Sequence, residues 1–151
     1  MRTVDSDLQN FATDHAGWFP KGSNSCEALC QLYPDYTDYG IELAGLSGNI
    51  RAVTNALQNR LSIEGLTSWV YVPGLRADDD PRLAILWESK TGLKSNGKRA
   101  HNDARPVLLL SRDITNVPSA DWENFLKHQE QLRKAVQANR EAANAPLPDA
   151  H

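Results

Sequence analysis

The chain has 151 residues, 40% of them hydrophobic and 23% charged, with a formal net charge of −3. That length suits one domain whose core needs no metal or disulfide staple, and the acidic balance argues against a nucleic-acid surface, which needs clustered Lys and Arg. No run of about eighteen apolar residues occurs to span a membrane, and the opening MRTVDSDLQN lacks the apolar stretch of a signal peptide.

Val4–His15 reads as a helix, because Val4, Leu8, Phe11 and Ala12 fall on one face. The pattern is in full stride at Val4, as at the end of a longer helix. Gly17 stops it, and Trp18-Phe19-Pro20 leads away extended. Ser25 is the expected cap of a short helix over Cys26–Leu32, broken by Tyr33-Pro34-Asp35. Tyr36–Leu46 is a second short helical segment. Asn49 then caps Ile50–Leu61, where Ile50, Val53, Leu57 and Leu61 make an apolar stripe.

Strands follow. Trp69–Val72 and Leu83–Glu88 are rich in strand formers, and the loop between them is too long for a tight turn. Lys90–His101 is basic but diluted by Gly, Ser and Asn, and reads as a solvated loop. Val107–Leu110 reads as a strand covered on both faces, with Ile114–Val117 as its return. Ser119 is the expected cap of the last helix, whose stripe is Trp122, Phe125, Leu126, Leu132 and Val136, interrupted by Gln129. Residues 1–139 are expected to form the single domain and 140–151 a frayed or disordered tail.

Little in this series resembles a reaction centre. Asp78, Asp79 and Asp80 are candidate calcium ligands by chemistry, but the loop lacks the alternation and glycine of a calcium loop. A solvated turn closed by Asp80-Pro81 is the plainer reading. Cys26 and Cys30 stand four apart; a helix would hold them about 6 Å apart with poor geometry for a disulfide. They read as small buried hydrophobes. His15, His101, His128 and His151 are scattered without ligand spacing. Gly45-Leu46-Ser47-Gly48 is too short to cradle phosphates. Tyr33, Tyr36 and Tyr39, beside Asp35 and Asp38, read as a packing seam, with a partner surface as the other reading.

Three stretches together resemble the pseudopilin-like proteins of the type II secretion and type IV pilin class. The first is the helix end with Leu8, Asn10, Asp14, Gly17, Trp18, Phe19 and Pro20. The second is SWVYVPGL followed by DDDPRLAILWE. The third is RPVLLLSRDITNVPSADWENFL, similar to a strand, turn, return strand and closing helix. The chain departs from that family at Ser111-Arg112-Asp113, where the turn usually reads Asp-Gly-His, and it carries no hydrophobic N-terminal anchor.

The resemblance implies an α+β, pilin-like head: an N-terminal helix packed on a small antiparallel sheet, with extra short helices and a C-terminal amphipathic helix. It implies a non-catalytic structural subunit of the bacterial cell envelope, on its periplasmic or extracellular face. The full-length protein would be anchored in the membrane through the missing N-terminal helix. Its partners would be copies of itself or other pilin-like subunits, met partly through an uncovered stripe of Val4, Leu8 and Phe11. No cofactor is expected, calcium at Asp78–Asp80 apart. The alternative is an extracytoplasmic binding module for a protein or glycan, using the acidic loop and the tyrosines. A third reading is an enzyme using Cys26 or Cys30 with a histidine.

Overall fold

A computed structural model describes residues 1–38 and 40–146. Tyr39 and residues 147–151, with His151 and the end of the expected tail, lie outside the described residues. The elements are α1 (Arg2–Asp14), α2 (Ser25–Cys30), α3 (Gly40–Ala44), α4 (Ile50–Gln58), β1 (Trp69–Tyr71), β2 (Ala84–Glu88), β3 (Arg105–Leu109), β4 (Ile114–Val117), a 3-10 turn (Ser119–Asp121) and α5 (Trp122–Asn144). The class is α+β, with one four-stranded antiparallel sheet in the order β1-β2-β3-β4.

Two helices start on an asparagine cap. The Asn49 side chain accepts from Ala52 N and starts α4, as expected. In α2 the cap is Asn24, whose Oδ1 accepts from Glu27 N, and not Ser25. Ser25 Oγ instead accepts from Tyr71 N on the outer edge of β1. Ser119 is no cap either: its hydroxyl donates to Asp103 O. Residues 140–144, expected to fray, continue α5 to Asn144; they are rich in alanine, the best helix former.

Alternation along the strands gives the sheet two buried faces. Trp69, Tyr71, Leu86 and Leu108 belong to a main core with Val4, Leu8 and Phe11 of α1, Leu29, Leu43 and Val53. Ala84, Val107 and Val117 face the other way with Trp87 of β2, and Trp122 and Phe125 pack against them. Trp87 and Trp122 meet edge-on at 5.8 Å. The start of α5 therefore covers this second face. A bulge between Ala84 and Leu86 explains why these two residues, two apart, point to opposite sides.

Two buried polar side chains hold the layers. Glu88, fully buried, accepts from Leu46 N at 2.9 Å, Ser68 Oγ at 2.7 Å, Ser47 Oγ at 2.7 Å and Lys90 N at 3.2 Å. Gly45, at φ +85°, lies so close to Ser68 that a Cβ would collide with its hydroxyl. Gln129, expected only to interrupt the α5 stripe, is buried. Its Oε1 accepts from Ala84 N at 2.8 Å and its Nε2 donates to Arg82 O at 3.0 Å, so it clamps the start of the bulged strand.

Candidate functional site

The first helix is the element on which the assembly reading rests. Val4, Leu8 and Phe11, expected as an uncovered partner stripe, are 1%, 0% and 6% exposed. They are core residues of this chain, because α2, α3 and the sheet supply apolar cover along that face. The polar side of α1 is tied to the β3–β4 turn. Asp5 is itself buried, and its Oδ2 lies 3.1 Å from both Nε and Nη2 of Arg112. Arg2 Nη1 donates to Arg112 O at 2.6 Å. Arg112 stands at φ +71°, a left-handed conformation that glycine adopts more readily. The turn thus keeps a glycine-like backbone although no glycine is present.

The acidic loop does not gather its carboxylates around one point. Asp78 Oδ1 lies 3.0 Å from Arg76 Nε, an ion pair without hydrogen-bond alignment. Asp79 accepts from Arg76 N at 2.7 Å and from Arg140 Nη2. Asp80 takes Arg82 Nε at 3.0 Å and Nη2 at 2.7 Å, and this hydrogen bonding holds its carboxyl down at about 2. Three aspartates thus serve three arginines, and among the described residues no group of His, Cys, Asp and Glu is arranged to hold a metal. The loop is a clasp. Arg76 and Arg140 each stand 5.0 Å from the centre of the Trp18 ring, with Lys21 Nζ at 3.6 Å, so cation–π contact joins the end of α5 to the segment after α1.

The remaining candidates scatter. Cys26 and Cys30 are free, half-buried thiols, and burial pushes both above the ordinary thiol range, away from the nucleophilic thiolate. His15 stacks on Phe11 at 3.8 Å and uses Nδ1 on Phe11 O. Tyr33 and Tyr36 pack against the core, and the Tyr36 hydroxyl donates to Asp14 at 2.9 Å.

A feature the apolar spacing did not disclose lies beside the start of α1. A groove of ≈ 350 Å³ is lined by Met1, Val4, Ile41, Leu46, Ile50 and Trp69, with Glu42 among its other walls. Asp7 stands one turn beyond the groove residue Thr3 on the same side of α1. Its half-buried carboxyl is pushed up to about 6, first by burial and then by repulsion from Glu42 and Asp38, and its Oδ2 has no hydrogen-bond partner. The folded state therefore holds this proton more tightly than the unfolded chain. The associated stability is present at low pH and is lost as pH rises through about 6. Asp7→Asn is expected to stabilise the protein at pH 8 by about 1 kcal/mol, after allowance for solvent screening. That gain should vanish near pH 3.5, as urea titrations at the two pH values would show.

No family model, curated protein or solved structure matches the chain.

Proposed function

We propose that this chain is a non-catalytic assembly subunit, the pilin-like head of a membrane-anchored pseudopilin-like protein. It packs with copies of itself or related subunits into an extracytoplasmic filament or secretion assembly. The observation that carries this reading is the fastening of α1 to the sheet. The helix buries its apolar face, beside α3, in the core that the sheet shares with the other short helices, and Asp5 grips Arg112 in the β3–β4 turn. A helix so fastened passes load from an anchor to the head without a hinge. The left-handed Arg112 adds support, since it keeps the backbone of the glycine turn that the resemblance leads one to expect.

The test is the full-length product in its native cell. Peptide mapping of its N-terminal region should find an apolar stretch of about twenty residues upstream of Met1, and fractionation should recover it with the envelope. A product lacking that stretch and recovered with the cytosol overturns the proposal.

A further inference from the structure

Among the described residues the exposed large aliphatic side chains are Ile41, Ile50 and Leu61, at 53%, 48% and 60%. Single exposed apolar residues need no explanation. Here, however, Ile41 and Ile50 share the groove beside α1, and Leu61 projects just past the opposite end of α4. Leu61 is held there by the backbone. Leu61 N donates to Ala56 O and Arg60 N to Leu57 O, with Arg60 at φ +56°. This is the Schellman arrangement, and it leaves Leu61 exposed on the rim of a second groove that Cys30, Tyr33 and Leu57 also line.

Charge distinguishes the two ends. The groove wall carries Glu42, and Asp7 and Asp38 add negative charge close by. No ion pair neutralises these three among the described residues. The projection carries Arg60, exposed and likewise without an ion pair among the described residues. An apolar groove walled by Glu42 and an exposed leucine beside an exposed arginine thus lie on one molecule, separated by roughly 15 Å of helix rise.

We infer that Arg60 and Leu61 of one copy seat in the Ile41–Ile50 groove of the next, Leu61 on the two isoleucines and Arg60 toward Glu42. The contact joins two different surfaces, so it repeats head to tail and does not close as a two-fold dimer. The partner is a second copy of this chain, and the inference rests on the assembly reading above while naming the head contact within it.

Cysteine trapping tests it on the full chain. In a Cys26→Ala/Cys30→Ala parent, needed because Cys30 lines the same groove as Leu61, Ile41→Cys and Leu61→Cys proteins mixed under mild oxidation should give a mixed disulfide-linked dimer well above either variant alone. The double variant should give a ladder. Adding Arg60→Glu to the Leu61→Cys chain should lower the mixed yield several-fold, and Glu42→Lys on the Ile41→Cys chain should restore it. Links no more frequent than background, links between like variants, or a double variant that stops at dimer would overturn the contact. If the full-length product proves anchored and assembled while no link forms, the contact alone fails. If links form but no anchor is found, the envelope reading fails and the contact stands.

Discussion

Glu88→Ala is expected to lower the free energy of unfolding by about 3–5 kcal/mol, a large part of the total for a domain of this size. Removing the buried carboxylate leaves Leu46 N, Ser47 Oγ and Lys90 N without this acceptor and Ser68 Oγ with only Ala44 O at 3.4 Å. These donors lie after α3, before β1 and after β2. Their loss therefore loosens the join between the helical layer and the sheet. Glu88→Gln should also destabilise, by about 2 kcal/mol, because one oxygen becomes an NH2 facing hydrogen-bond donors. Ser47→Ala, which removes a single donor from a half-buried position, should cost only about 1 kcal/mol. Urea unfolding checks all three, and a Glu88→Ala midpoint close to that of the parent would remove the node from this account.

Gln129→Leu should cost about 2–4 kcal/mol despite its apolar replacement. Leucine fills similar space, but the buried Ala84 N–H and the Arg82 carbonyl lose their partners at the bulge. Hydrogen exchange gives the sharper reading. The Ala84 amide should lose protection well beyond its neighbours in β2, whereas a uniform loss along the strand would mean that the substitution acts only through global stability. Gln129→Glu should not rescue, since it keeps the acceptor for Ala84 but turns an oxygen toward the Arg82 carbonyl.

Much of the fold was legible wherever a local rule sufficed. The Asn49 cap, the Ile114–Val117 strand and the apolar face of α1 follow from one residue's chemistry or a short period. Ser25 and Ser119 misled because both are good caps in isolation, while their hydroxyls are claimed by Tyr71 and Asp103, distant in sequence. Gln129 looked like a gap because periodicity counts apolar residues only; its role needs two backbone partners some 45 positions away. Ile50 is in phase with the α4 stripe, yet phase does not report depth; Leu61, expected to extend that stripe, falls outside it because α4 ends at Gln58 and Arg60 turns left-handed. Asp78–Asp80 offered hard ligands on paper. Arg140, which claims Asp79 from across the fold, is invisible to any reading of the loop alone.

Arg112 carries a last consequence. Exchanging it for glycine would ease the hairpin, since a left-handed arginine is strained by roughly 1–2 kcal/mol, but the same exchange would leave the buried Asp5 carboxylate with only Gln9 Nε2 at 3.4 Å and Arg2 Nη1 at 3.9 Å. Comfort in the loop and grip on the first helix are thus set against each other at one codon, and a chain selected for an easier bend would surrender its mooring.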